Sequence, residues 1–197
     1  MPGRDTVYVW LGRTAGEQRE LTRRLLRRAG GALLGRSGAG IGVRRAPGGR
    51  PEVYAGDGRA LPVSVSHVDG LVVVAARVGG PVGVDVERRR SLPAAPLAGR
   101  WYDPDEAAWL RGRDEAGRDL DFLRLWTAKE AVGKALGTGL RDGGLRRRMP
   151  VPGGPGELLR PVPGRPEVRV GHPEAGDGLV LAVAVTGAAG EVGVVLV

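Results

Sequence analysis

Asp69-Gly-Leu-Val-Val-Val-Ala-Ala76 returns late in the chain as Asp177-Gly-Leu-Val-Leu-Ala-Val-Ala184, identical at five of eight positions. Two further pairs keep the same order. Pro81-Val-Gly-Val-Asp-Val-Glu87 corresponds to Glu191-Val-Gly-Val-Val-Leu-Val197, and Arg27-Arg-Ala-Gly-Gly-Ala-Leu-Leu-Gly35 lines up with Lys129-Glu-Ala-Val-Gly-Lys-Ala-Leu-Gly137. In a composition this rich in small apolar residues one match carries little, but three in order predict two related halves. The expected fold is α+β: two pseudo-symmetric halves, residues 1–98 and 99–197, each a small antiparallel sheet packed with a long helix, with a site between them.

Working outward, Thr6 to Trp10 reads as a strand, and leucines at 21, 25, 26, 33 and 34 mark a helix over 16–34. Valines between Gly and Pro punctuation predict strands at 41–45, 62–67, 70–78 and 81–87, the pattern of a β-meander. Pro93 and Pro96 suggest a connector over 88–99. Helical patterns follow near 104–111 and 121–136, then a Gly/Pro-rich loop over 143–166 and strands near 167–170, 179–186 and 191–197.

The 197 residues are 42% hydrophobic and 26% charged, which excludes a disordered chain, and no apolar run approaches the roughly 20 residues of a membrane-spanning helix. Met1 to Asp5 lacks the apolar run of a secretory signal, so a cytoplasmic location is expected. Without cysteine, and with His67 and His172 the only imidazoles, thiolate and multi-histidine metal sites are excluded. Any metal must be a hard cation on carboxylates. The net charge of +8 comes from 28 arginines and two lysines against 22 acids, and the lysines, Lys129 and Lys134, share one predicted helix.

The first copy of the repeat differs from the second in its acids. Asp85 and Glu87 stand where the second copy has Val195 and Val197, whereas Glu130 replaces Arg28. Strand alternation puts Gly83, Asp85 and Glu87 on one face, where two carboxylates could grip a cation; equally, they could be a solvated strand end paired with Arg88 to Arg90. Glu130 and Lys134 sit one helical turn apart, the spacing of an ordinary surface pair. Lys129 falls inside the apolar stripe of Phe122, Leu125, Trp126, Val132 and Leu136, which is costly unless its ammonium meets an anion. Ser64 and Ser66 share a face opposite the valines, with His67 at the strand end. Adjacent residues on a strand face apart, which argues against a Ser66–His67 nucleophilic pair and leaves phosphate binding or a polar turn. Asp103-Pro-Asp-Glu106 reads as a capped helix start, so Glu106 is a capping residue by default. Arg23, Arg24, Arg27 and Arg28 are either an anion-binding or a solvated helix face, and Arg44, Arg45 and Arg50 form a second basic cluster.

Gly49-Arg50-Pro51, Val65-Ser66-His67, Gly83-Val-Asp85-Val-Glu87 and Trp126-Thr-Ala-Lys129-Glu130-Ala-Val-Gly-Lys134-Ala-Leu-Gly-Thr-Gly-Leu140, in that order, resemble the 4′-phosphopantetheinyl transferases, in their monomeric surfactin-type branch. The resemblance implies transfer of phosphopantetheine from coenzyme A to a serine of an apo acyl or peptidyl carrier protein. It implies Mg²⁺ or Mn²⁺ on Asp85, Glu87 and Glu130; Ser66 and His67 on the phosphates of coenzyme A; and Gly49, Arg50 and Pro51 bordering its adenosine 3′-phosphate. Lys129 and Lys134 would contact phosphates, Lys134 neutralising charge on the leaving side, and Glu130, Glu106 or a water would be the base. Arg50 stands where lysine is common. A monomer acting on an acidic carrier, with no nucleic acid or membrane partner, is the expectation. The alternatives are a non-catalytic basic phosphate- or nucleic-acid-binding module, which +8 permits, and the trimeric half-length carrier-protein synthase, which the internal repeat disfavours.

Overall fold

The computed structural model describes residues 6–46, 49–141, 143–153, 159–176, 178–187 and 193–197. Asp177 and Glu191, the first residues of two repeat segments, lie outside them. In chain order the elements are β1 (Thr6–Arg13), α1 (Gln18–Leu34), β2 (Ile41–Arg45), β3 (Pro51–Ala55), β4 (Ala60–Leu61), β5 (Val63–Val68), β6 (Leu71–Ala76), β7 (Val82–Arg88), α2 (Ala94–Trp101), α3 (Pro104–Arg111), α4 (Glu115–Leu136), β8 (Arg160–Val162), β9 (Arg165–Gly171), β10 (Leu179–Thr186) and β11 (Gly193–Leu196).

The chain is α+β, built as four layers. Sheet β11-β1-β6-β5 lies against sheet β7-β10-β9-β8, and a small third sheet, β2-β3-β4, stands to one side. Leu21, Leu25 and Leu26 of α1 pack with Trp10, Val72 and Val74 on the outer face of the first sheet. Phe122, Leu125 and Val132 of α4 do the same with Val180, Ala182 and Ala184 of the second. Between the sheets lie Val7, Val9, Val73 and Ala75 from one side and Val84, Val86, Leu181 and Val183 from the other. Strands β6 and β10 are buried on both faces, which is why each reads as an unbroken apolar run.

Strands β6 and β10 each lie inside their sheet rather than at its edge, and α1 and α4 both end on a left-handed glycine, Gly35 and Gly137. Strand β7 crosses over: it follows β6 in sequence but pairs antiparallel with β10 of the other sheet. Strand β11 likewise leaves β10 and pairs, in parallel, with β1.

Four sequence expectations need correction. The strands between 41 and 88 do not form one meander but divide among three sheets. The expected connector contains α2, because its prolines sit at the N-cap and in the first turn, where the missing N–H costs nothing. Helix α4 starts six residues earlier than the expected 121, where the Asp114 side chain accepts a hydrogen bond from the Gly117 amide. The expected 143–166 loop holds β8 and the start of β9; Pro161 is tolerated because β8 is an edge strand, and Pro166 precedes the part of β9 that pairs with β10. Among the described residues no helix is long and apolar enough to cross a membrane.

Candidate active site

Strand β7 turns Val82, Val84 and Val86 into the core between the sheets, so Gly83, Asp85 and Glu87 face α4. Gly83 decides how close that helix comes. A Cβ at Gly83 would lie 1.9 Å from the Ala131 carbonyl oxygen and 2.7 Å from the Ala135 nitrogen, so helix backbone rests directly on strand backbone. Glu130 and Lys134 flank that contact. The Lys134 ammonium donates to Asp85 Oδ1 at 2.8 Å and to the Val84 carbonyl at 3.0 Å.

Strand β5 closes the cluster from a third side. Ser66 Oγ donates to the same Asp85 Oδ1 at 2.7 Å, while Ser64 Oγ accepts from the Val84 amide at 3.1 Å. The two serines stitch β5 to β7 across the sheets. His67, one residue on, is exposed and faces away from Ser66, as strand alternation requires.

Burial holds the Asp85 carboxyl above the ordinary carboxylate range, against the opposing pull of Lys134 and Ser66. Burial, then the charge of Asp85, raises Glu130 as well, with Glu87 adding to it and Lys134 opposing. Glu87 accepts from Arg90 at 2.7 Å. The three acids thus sense one another, but among the described residues no three acidic or histidine side chains stand together as a ready metal cage. Their oxygen donors suit a hard divalent cation, and the ammonium of Lys134 already lies on Asp85 as a stand-in for positive charge.

Lys129 and Glu106 are placed differently from expectation. Lys129 is completely enclosed; its ammonium donates to Glu106 Oε2 at 2.6 Å and to the Arg147 carbonyl, and lies 4.7 Å from the Tyr102 ring centre. Glu106 Oε1 accepts from the Met149 amide at 2.7 Å. An enclosed ammonium already neutralised has no face open for a phosphate, and the pair instead clasps the segment after α4 to α3 and α4. Helix α4 is covered on most sides, so a lysine in its apolar stripe needs an internal anion, and Glu106 is that anion.

At the other end of β7 a cavity of about 590 Å³ is lined by Arg44, Arg50, Pro51, Tyr54, Pro81 and Val82, among others. Gly49 sits at φ +80°, a turn conformation that brings Arg50 to the cavity wall, and Arg50 Nη2 donates to the backbone carbonyl of Lys134. Sequence reading missed Tyr54 and its cover, the Arg44 guanidinium 5.3 Å above the ring and 2.6 Å from Glu52. The signal was the alternation of Glu52 and Tyr54 opposite Arg44 in a short strand that Pro51 obscured.

Residues 81–171, just under half of the chain, match the family model described as the 4′-phosphopantetheinyl transferase superfamily. The resemblance drawn from the motifs is borne out there. Over 105 residues the chain is 33% identical to a protein of Synechocystis sp. that is provisionally named a 4′-phosphopantetheinyl transferase, covering 53% of this chain and 42% of that one. It is 34% identical over 77 residues to the 4′-phosphopantetheinyl transferase gsp of Aneurinibacillus migulanus, covering 39% of this chain and 32% of the relative. It is 33% identical over 81 residues to the 4′-phosphopantetheinyl transferase HetI of Nostoc sp., covering 41% and 34% respectively. The matched stretches thus span less than half of each relative.

Proposed function

We propose that this protein is a phosphopantetheinyl transferase, moving the 4′-phosphopantetheine arm of coenzyme A onto a serine hydroxyl of an apo carrier protein in the cytoplasm. The observation that carries the reading is the meeting of Asp85, Glu130, Lys134 and Ser66 at the junction of β5, β7 and α4, beside a cavity walled by Arg50.

In the reaction the serine oxygen bonds to the phosphorus that carries pantetheine. The pyrophosphate P–O bond breaks, and adenosine 3′,5′-bisphosphate leaves. Such transfers are catalysed mainly by positioning and charge neutralisation. Asp85, Glu87 and Glu130 would hold Mg²⁺ or Mn²⁺, which when bound supplies charge neutralisation at the pyrophosphate. Glu130, directly or through a water, is the residue assigned to take the serine proton, because both oxygens of Glu106 are engaged elsewhere. Ser66 orients Asp85, and Lys134 offers positive charge to the leaving side. Gly49, Arg50, Pro51 and His67 are assigned to the nucleotide end. The +8 charge suits an acidic carrier through long-range steering.

Incubation with coenzyme A, Mg²⁺ and apo carriers of the fatty-acid, polyketide and peptide-synthase types tests the reading, with the phosphopantetheine adduct detected by mass. An adduct on at least one carrier is expected, and none on any carrier overturns the proposal. Asp85→Ala should remove about 100-fold or more of the rate while leaving the far-ultraviolet circular dichroism spectrum unchanged.

A further inference from the structure

We infer that Arg50 is a positioning residue that ties the occupant of the cavity to the Lys134–Asp85 pair, by holding the last turn of α4 with one arm of its guanidinium and a phosphate with the other. The inference rests on the coenzyme A reading for the identity of the phosphate.

The arginine is delivered by a braced turn. The Ala46 amide donates to the Arg50 carbonyl and the Gly49 amide to the Ala46 carbonyl, both at 2.8 Å, while Arg45 Nη1 donates to the Gly49 carbonyl at 2.9 Å. From there Arg50 crosses to a residue 84 positions away and donates Nη2 to the Lys134 carbonyl. The same carbonyl also accepts the Gly137 amide at 3.2 Å, as α4 closes on its left-handed glycine. A Cβ at Gly137 would stand 3.4 Å from Arg50 Nη1, so the guanidinium lies against the cap itself.

Lys134 is therefore engaged at both ends. Its carbonyl holds Arg50 from the cavity side, and its ammonium holds Asp85 and the Val84 carbonyl on the other. Among the described residues no other hydrogen bond occupies the remaining N–H groups of Arg50, and the residue lines the cavity. The C-terminal end of a helix carries partial negative charge and repels an approaching phosphate unless a cation stands between them. A guanidinium can stand there and bond to both sides at once, whereas an ammonium is a single point of charge that must divide itself. Filling the cavity with a phosphate should thus tighten the cap, and with it the placement of Lys134 on Asp85.

The test compares the intact protein with Arg50→Lys and Arg50→Ala, measuring coenzyme A affinity and amide hydrogen exchange over 134–140, with the α1 amides as a control for the fold. Coenzyme A should slow exchange at Gly137 and Thr138 of the parent by about tenfold. Arg50→Lys, compared at coenzyme A concentrations that saturate each protein, should lose that slowing. Arg50→Ala without ligand should exchange faster than the parent at the same amides. Equal slowing in Arg50→Lys, or a parental rate in unliganded Arg50→Ala, overturns the inference. Failure of the parent to bind coenzyme A strikes the functional reading instead, and the unliganded comparison still decides whether Arg50 holds the turn.

Discussion

Replacing Gly83 by alanine isolates the contact on which the candidate site is built. The added Cβ would stand 1.9 Å from the Ala131 oxygen, 2.7 Å from the Ala135 nitrogen and 2.9 Å from the Ala131 carbonyl carbon. Carbon–oxygen contacts normally settle at about 3.3–3.6 Å, so α4 must withdraw from β7 by about 1.4 Å or more. All three obstructing atoms are backbone, and none can rotate aside. Overpacking a core by one methyl group typically costs about 1–3 kcal/mol. Here a whole helix must move off a sheet, so about 3 kcal/mol or more is expected from a total of about 5–15. Gly99 is the internal control: it lies in α2 with nothing within 4 Å of a built Cβ, so Gly99→Ala should be neutral or stabilise by up to about 1 kcal/mol. Urea unfolding of both variants measures the difference. The displaced helix also carries Glu130 and Lys134 away from Asp85, so any folded Gly83→Ala protein should have lost carrier modification. A variant within about 0.5 kcal/mol of the parent, with activity retained, would refute the close-contact argument.

Two further outcomes concern buried charge. Lys129→Met should cost about 3–5 kcal/mol because it strands Glu106 beside Tyr102; in the double variant with Glu106→Leu much of that loss should return, as read by denaturant midpoints. His172, whose Nε2 lies 2.9 Å from the Arg124 carbonyl, is pushed down by burial to about 4. A lowered histidine favours the fold in its neutral form, so its contribution is complete above pH 6.5 and drains away as pH falls towards 4, by roughly 3 kcal/mol in full. Unfolding curves from pH 7 to pH 4 should show that loss in the parent and a flatter profile in His172→Asn.

The parts of the molecule legible in the sequence are those governed by local pattern. The leucine spacing of α1, the unbroken apolar runs of β6 and β10, and the alternation that puts Asp85 and Glu87 opposite Val84 and Val86 are each set within a few residues. What stayed hidden depends on partners far away in sequence. No periodicity says that β7 leaves the sheet of its neighbour β6 for that of β10. The anion beside Lys129 is the Glu106 carboxylate of α3, and the 147–149 segment that folds back onto the pair lies outside both helices. The close fit of Gly83 on Ala131 is likewise invisible until the helix is laid on the strand.

The crossing of β7 bears on how the chain acquires its shape during synthesis. The hydrogen-bonding partner of 82–88 is 179–186, so β7 leaves the ribosome nearly a hundred residues before its ladder can form. At about 5–20 residues per second that is a wait on the order of ten seconds. During it, Val82, Val84 and Val86 form an open strand of the kind that recruits other chains. The carboxylates interleaved with them, together with Arg88 to Arg90, keep that waiting strand charged and poorly suited to stacking on a copy of itself. Asp85 and Glu87 thus place charge on a strand that has no ladder partner until β10 has been made.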